Sequence, residues 1–530
     1  MKLPEVSEQK EKNVMKYFNT AGPCRPEIHY MLPTTARLPE LQRLIDQQLY
    51  FVIHAPRQVG KTTMMLQLAQ ELTRSGRYTA LLVSMEVGAA FNDDIGKAEL
   101  AMLGAWRGNA RAWLPPDLQP PEWPTAETGQ RIFAALGEWA HQSARPLVVF
   151  LDEIDALENG ALISVLRQLR NGYVNRPQGF PWSLGLIGMR DVRDYKVKSG
   201  GGERLNTASP FNIKARSLTI GNFTAEEVAT LYRQHTTETG QVFTDEAVAR
   251  AFHLTQGQPY LANALARVAV EELQPDLAQP ITIKEIEGAK DILIERQETH
   301  LDSLVERLRE ERIRHIIEPI LSGRQEITSL PPDDVRFVTD LGLVRRANGG
   351  GLVVANPIYR EVIPTMLAYV TRAFLPQISP TWLNADGSLN PDRLLESFLA
   401  FWRQHGQPLL KSVHYHEIAP HIVMMAFLHR VVNGGGSLER EYAIGTRRMD
   451  VCLRYGDATI GMELKVWREG ERDPLNEGLA QLDVYLNGLG LDTGWLVIFD
   501  QRHGLPDISE RTTTETATSP AGRTITVIRG

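Results

Sequence analysis

Two stretches of this 530-residue chain carry residue types and spacings that can do chemistry on phosphate. The first is Ala55-Pro-Arg-Gln-Val-Gly-Lys-Thr62, between the apolar run Tyr50 to His54 and an amphipathic stretch from Thr63 to Leu72. Strand, glycine-bearing loop, helix is the context in which backbone N–H groups and a helix N-terminus cradle phosphates. Gly60 lets the backbone come close, Lys61 reaches the β and γ phosphates, Thr62 ligates Mg²⁺, and Thr63, at the start of the helix, is expected to bind the nucleotide with them. Ala55 stands where the pattern has its first glycine, a replacement that fits only if its φ is negative. Alone, a Gly-Lys-Thr turn can do no more than start a helix. Its partner is Leu147-Val-Val-Phe-Leu-Asp-Glu-Ile-Asp155, a buried strand ending in acids, which puts Asp152 at the carboxyl edge of a sheet, where ligands of open α/β sheets bind. Asp152 is expected to hold Mg²⁺ through water and Glu153 to polarise the attacking water, with ATP and Mg²⁺ as cofactors.

The second stretch is a hairpin. Arg447 to Tyr455 reads as a strand, Gly456-Asp457 as a two-residue turn, and Ala458 to Trp467 as the returning strand. Pairing inward from Tyr455 opposite Ala458 brings Asp450 directly opposite Glu463. Facing residues have Cβ atoms about 4.5–5.5 Å apart, and like charges there repel. A cation between them removes the conflict. Alternation puts Lys465 on the face of Glu463, while Met462, Leu464 and Val466 point to the other side. Two carboxylates and an ammonium then converge, a set suited to Mg²⁺ with its hard oxygen ligands.

The elements that position these residues follow from periodicity. Short β-branched runs at Tyr50–His54, Ala80–Met85, Leu147–Leu151, Leu184–Gly188 and Ser217–Ile220 alternate with helical patterns, which predicts an α/β domain with a parallel sheet. Proline and tryptophan in Trp106–Pro124 suggest a surface insertion, and Ser199–Gly202 a loop. The capping box Thr224-Ala-Glu-Glu and Thr244-Asp-Glu-Ala open helices of a lid. A charged helix around Leu301–Arg314, a helix from Asp334, and two strands around Asn348-Gly-Gly-Gly outline a winged helix. Low periodicity marks a linker, and Thr512–Ser519 reads as a loop before a last strand, Arg523–Ile528. The expected divisions are 1–222 (ATPase core with its N-terminal segment), 223–300 (lid), 301–370 (winged helix), 371–395 (linker) and 396–530 (C-terminal α/β domain).

Composition narrows the setting. Lys plus Arg is 57 against 64 for Asp plus Glu, a net charge of −7, so a nucleic-acid partner would need a local patch. Cys24 and Cys452 share no motif, which argues against a disulfide scaffold or a zinc site and fits a reducing cytoplasm. No apolar run approaches the ~18 residues that span a bilayer. His405, His414, His416 and His421 lack the spacing of a zinc site and read as surface or helix-start histidines. Arg440, Arg447, Arg448 and Arg454 flank the hairpin carboxylates, where they either contact a phosphodiester backbone or are merely solvated.

From Phe18 to Pro364 the motifs resemble the AAA+ and STAND ATPases, in the prokaryotic branch whose loop reads Pro-Arg-Gln-x-Gly-Lys-Thr-Thr. The resemblance implies that Arg190, in Gly188-Met-Arg, senses the γ-phosphate, and that Pro259, in Gly257-Gln-Pro, packs against the nucleotide. It also implies a homo-oligomer and a protein trigger, with Arg193, Arg204 and Arg216 all open as arginine finger. From Glu396 to Gly530 the Asp then Glu-x-Lys pattern resembles the PD-(D/E)xK nucleases of the restriction-endonuclease and RecB-like kind, with Met449 where the family name has Pro. That likeness implies Glu417 as the helix acid completing a metal site with Asp450 and Glu463, Lys465 as catalytic cation, and Gln481 and Tyr485 as the Gln-x-x-x-Tyr of the RecB-like branch. The implied function is an ATP-dependent or ATP-regulated Mg²⁺ nuclease on DNA, in anti-phage defence or mobile-element biology. Two alternatives remain at this point: a STAND-type switch or scaffold whose C-terminal domain binds without cleaving, and a remodelling or loading factor that grips DNA.

Overall fold

The computed structural model describes residues 15–33, 37–189, 213, 216–296, 307–308, 310–321, 330–347, 350–373, 380–412, 418–432, 436–441 and 449–530. The backbone divides into two compact units, Met1–Arg296 with Thr339–Gly342, and Gln297–Val338 with Leu343–Gly530.

In the first unit the five predicted strands form, as β1 (Tyr50–His54), β2 (Thr79–Ser84), β3 (Leu147–Asp152), β4 (Ser183–Gly188) and β5 (Arg216–Thr219). They lie in the order β2-β3-β4-β1-β5, and every pairing is parallel. Alternate residues of β1 enter two different cores. Tyr50 and Val52 join Val149, Leu151, Met102 and Trp139 on one face, and Phe51 and Ile53 join Val148, Phe150, Met64 and Leu68 on the other. Burial on both faces explains why these strands read as nearly continuous apolar runs. Parallel pairing also brings the ends of β1 and β3 to one sheet edge, which is where both phosphate motifs lie.

Trp106–Pro124 departs from its expected place on the surface. Trp106 is on the helix Ile95–Trp113 and fully buried, with Ala110, Leu114 and Leu118 buried after it. Its indole Nε1 donates to Ser84 O at 3.2 Å, so the ring enters the core with its polar atom satisfied. The Ser199–Gly202 loop lies outside the described residues. The helices expected of a lid form as Ala225–Thr239, Asp245–Thr255, Pro259–Val268 and Ile283–Arg296. Thr224 makes the full capping box with Glu227, and Thr244 caps its helix through Ala247 N.

One feature of this unit carries no sequence signal. Residues 15–33 form a strap with almost no regular structure. Its Phe18 and Tyr30 pack among Tyr232, His235 and Phe243 of the lid, and Cys24 N donates to Thr63 Oγ1 at 3.0 Å.

In the second unit, Glu311–Leu321 and Pro332–Asp340 precede a short antiparallel pair, β6 (Val344–Arg346) and β7 (Leu352–Val354). Where a linker was expected, the helix Pro357–Ala373 runs past residue 371 and Pro391–Ser412 begins before residue 395. Between them Trp382 and Leu389 are buried, the former with its ring 6.1 Å from Phe427. A six-stranded sheet follows: β8 (Gly436–Glu441), β9 (Met449–Tyr455), β10 (Ala458–Trp467), β11 (Thr493–Asp500), β12 (Thr513–Thr518) and β13 (Thr524–Arg529), ordered β12-β13-β11-β10-β9-β8. β12 corrects the loop expected at Thr512–Ser519. Its threonines are β-branched and its backbone pairs antiparallel with β13, while an edge position leaves the side chains polar and exposed.

Candidate functional site

The phosphate loop is built as its sequence requires. Gly60 holds φ +90° and Gln58 φ +57°, whereas Ala55 stays out of the left-handed region, the condition under which alanine can replace the pattern's first glycine. Ala55 is buried and the helix Lys61–Arg74 starts directly after Gly60. Lys61 Nζ donates to Ala55 O at 2.8 Å and to Pro56 O at 2.7 Å, so the ammonium is drawn over the loop. Burial lowers its pKa from the ordinary value to about 8, against the opposing pull of Asp155 and Asp152.

Thr62 Oγ1 donates to Asp152 Oδ2 at 2.7 Å, joining the two motifs in one place. Asp152 is buried, and desolvation raises its pKa although Thr62 and the backbone N–H of Glu153 oppose the shift. These hard oxygen donors match Mg²⁺. Glu153 sits at φ +57° and accepts a hydrogen bond from Ser84 Oγ at 2.8 Å; burial, followed by Glu86 and Asp152, raises its pKa. A carboxylate pushed upward beside the phosphate loop has the character of a general base.

A cavity of about 430 Å³ opens over the loop, lined by Gly60 to Met64 and Glu153, by strap residues Asn19 to Cys24, and by Pro259, Tyr260 and Asn263 of the lid. Pro259 is the first residue of its helix. Ahead of it Gly257, at φ +71°, has no room for a side chain, because a Cβ would come within 1.8 Å of Phe223 O. Phe223 N donates to Gly257 O at 2.7 Å, which fixes the turn that presents Pro259. Arg190, Arg193 and Arg204 lie outside the described residues. Arg216 is exposed and pairs with Glu40 at 3.3 Å. The strap's part in this wall was invisible in the sequence, since it has neither period nor motif.

In the second unit the hairpin register is the expected one. Ala458 pairs with Tyr455 and Glu463 with Asp450, with Gly456 at φ +57° in the turn. Glu463 is fully buried and Lys465 nearly so, and Lys465 Nζ lies 3.2 Å from Glu463 Oε1. Met462 and Leu464 are buried on the opposite face. Gln481, on the helix Leu475–Leu489, meets Lys465 with its amide oxygen and donates to Glu477 Oε1 at 3.0 Å. Glu477 also approaches Lys465, at 3.4 Å. Sequence reasoning missed Glu477, although its place four residues before Gln481 on one helix face was a usable signal. Tyr485 is buried on the same helix. Glu417, His414, His416, Arg447 and Arg448 lie outside the described residues, and of Asp450 and Arg440 only the backbone is described. Arg454 is exposed. His421 stands in the first turn of the helix Ala419–Val432, as a helix-start histidine, but it is buried near Phe499 and not on the surface, and burial pushes its pKa down to about 3. Among the described residues no three His, Cys, Asp or Glu side chains cluster as a metal site, and no helix is long and apolar enough to cross a membrane.

Comparison with known proteins bears on the first unit. Residues 51–178 match the model of the ATPase family associated with various cellular activities (AAA). No curated protein matches the chain. Among solved structures, the Walker-type ATPase PABY2304 of Pyrococcus abyssi is similar at 12% identity and a TM-score of 0.46, over 65% of this chain and 99% of that one. The RuvB Holliday junction branch migration motor of Thermotoga maritima is similar at 15% identity and a TM-score of 0.34, over 62% and 93%. The Aeropyrum pernix ORC1 protein in complex with DNA gives 16% and 0.34, over 65% and 95%. With TM-scores this low, the assignment rests on the family model together with the joined loop and acid strand: the chain contains an AAA-type P-loop ATPase domain in an α/β fold with a five-stranded parallel sheet.

Proposed function

We propose that the chain is an ATP-regulated, Mg²⁺-dependent DNA nuclease, in which nucleotide in the AAA domain gates phosphodiester cleavage at the β9–β10 hairpin. The observation that supports it is the hairpin itself: Glu463 is paired with Asp450 across the two strands and has Lys465 within 3.2 Å on the same face.

In the ATPase, Lys61 and the N–H groups after Gly60 would hold the phosphates, and Thr62 with Asp152 would hold Mg²⁺. Glu153 would take the proton of the attacking water, a role that its raised pKa suits. Arg190 would report the γ-phosphate, and Pro259 would carry that state to the lid. In the nuclease, Asp450 and Glu463, with Glu417, would hold Mg²⁺, which supplies charge stabilisation at phosphorus and an acidified water. Lys465 would screen charge developing on the phosphate, its ammonium aimed by Gln481 and Glu477. Gln481 would act through Lys465. A homo-oligomer that answers a protein trigger, in defence against invading DNA or in mobile-element biology, is the setting we assign to this pairing of domains.

The test is to incubate the purified full chain with linear, circular and single-stranded DNA, with and without Mg²⁺ and ATP. Cleavage that needs Mg²⁺ and responds to ATP is expected in the parent, and none in Glu463→Gln. Cleavage by Glu463→Gln at the parent's rate overturns the nuclease reading. DNA binding without cleavage by the parent would favour a scaffold.

A further inference from the structure

Within the strap, residues 17–30 form a closed loop. Its two ends pair with each other, Tyr17 N donating to Ile28 O and Tyr30 N to Tyr17 O, both at 3.1 Å. Across its interior Asn19 accepts from Ala21 N at 3.1 Å and donates to Gly22 O at 3.0 Å and to Cys24 Sγ at 3.4 Å, while Arg25 O accepts from Ile28 N and His29 N. A loop tied at its neck and bonded across its own interior moves as one piece.

That piece is fastened to the lid. Phe18 is fully buried and Tyr30 nearly so, their rings packed among Tyr232, His235 and Phe243, and Tyr30 OH meets His235 Nδ1 at 3.3 Å. Gln234 clasps the backbone of Met31, accepting from its N at 3.2 Å and donating to its O at 2.9 Å. Lys16 N donates to Glu238 Oε1 at 3.1 Å, and Arg267 donates to Thr20 Oγ1 at 2.9 Å. On the side of the phosphate-loop helix the strap is caught by Cys24 N, which donates to Thr63 Oγ1 at 3.0 Å, and by Gln67 Nε2, 3.6 Å from Met31 Sδ. These are neutral hydrogen bonds of modest net strength, set against a buried aromatic cluster on the lid side. The loop therefore belongs mechanically to the lid, yet its residues Asn19 to Cys24 share the cavity wall with Gly60 to Met64.

We propose that this loop is a gate on the nucleotide cavity, carried by the lid helix Ala225–Thr239 and latched at Thr63, which swings away with the lid whenever nucleotide enters or leaves. Asn19 and Thr20 are bonded within the protein, so the tip supplies a wall and not a set of ligand contacts. A gate held by bonds to protein closes with or without ligand. It slows entry and exit alike and leaves the equilibrium affinity nearly unchanged, so that the lid times nucleotide exchange. The proposal rests on the reading of this cavity as the nucleotide site.

The experiment follows association and release of a fluorescent ATP by stopped flow in the full chain. It uses the parent, Arg267→Ala, Gln234→Ala combined with Arg267→Ala, and Lys61→Ala, with melting temperatures taken beside the rates. Gln234 and Arg267 reach the strap from outside the cavity wall. The double variant, having lost the hydrogen bonds of both side chains, is expected to release nucleotide about tenfold faster or more, with association faster by a similar factor. Arg267 is 41% exposed, so its replacement alone leaves the fold intact and should speed both steps by about threefold. Rates equal to the parent's in both variants overturn the gate. Faster release with affinity lost by the same factor also overturns it, because the loop would then be a contact to the nucleotide. Binding indifferent to Lys61→Ala overturns the nucleotide site and this proposal together, a result distinct from unchanged rates in a protein whose binding depends on Lys61.

Discussion

Thr62 Oγ1 and Asp152 Oδ2 lie 2.7 Å apart although 90 positions separate them in the chain. A sheet whose strands all run the same way brings both to one edge, and the hydrogen bond shows the loop and the acid strand acting as a unit. The first expectation follows from it. Lys61→Ala should lose nucleotide binding, whereas Glu153→Gln should keep it and hydrolyse about 10²–10⁴-fold more slowly, the usual contribution of a positioned base. Fluorescent-nucleotide titration beside a phosphate-release assay checks both.

Nucleotide affinity should depend on pH through Lys61. With its pKa lowered to about 8, the free protein carries an ammonium there below that pH and an amine above it. Phosphates favour the ammonium, so binding above pH 8 takes up a proton, and affinity falls by roughly tenfold per unit of further rise. The same depressed pKa acts on folding in the opposite direction: the unfolded chain binds the extra proton between about 8 and the ordinary lysine value, so this group's contribution to stability rises across that window. Titration calorimetry in two buffers of different ionisation enthalpy, at pH 7 and pH 9, reads the proton uptake directly. Equal proton counts at the two values would contradict the account.

Gly257→Ala tests the turn that carries Pro259. A side chain there meets Phe223 O and must also adopt φ +71°, so a loss of at least ~2 kcal/mol of stability is expected, seen as a lowered melting temperature. Nucleotide affinity should fall with it.

For the hairpin, Mg²⁺ should raise the thermal stability of the full chain by mass action, and Asp450→Asn should remove that gain while slightly stabilising the metal-free protein, since one of two facing charges is gone. DNA cleavage should be lost in Asp450→Asn. In Lys465→Ala turnover should fall while the Mg²⁺-induced shift in melting temperature persists. An unchanged shift in Asp450→Asn would show that the two facing residues share no metal.

What the sequence revealed depended on whether a residue's role was local. The strands of the first sheet and the register of β9 with β10 were legible because burial on two faces and a two-residue turn leave simple patterns. Trp106 was misread because composition registers a large aromatic near prolines but not the carbonyl of Ser84 that lets it be buried. Thr513–Thr518 was misread because an edge strand needs no apolar face. The strap was missed for another reason: it reaches the cavity from a distant part of the chain, and no spacing encodes that meeting.

Glu153 holds φ +57°, a backbone setting in which glycine or asparagine would rest more easily, by on the order of 1 kcal/mol. At this one position the requirements of a durable fold and of a working base diverge. A selection for heat resistance alone would therefore favour Glu153→Gly or Glu153→Asn, and the survivors would hold ATP without consuming it. Thermostable variants of this chain should be screened for turnover before they are taken as improved.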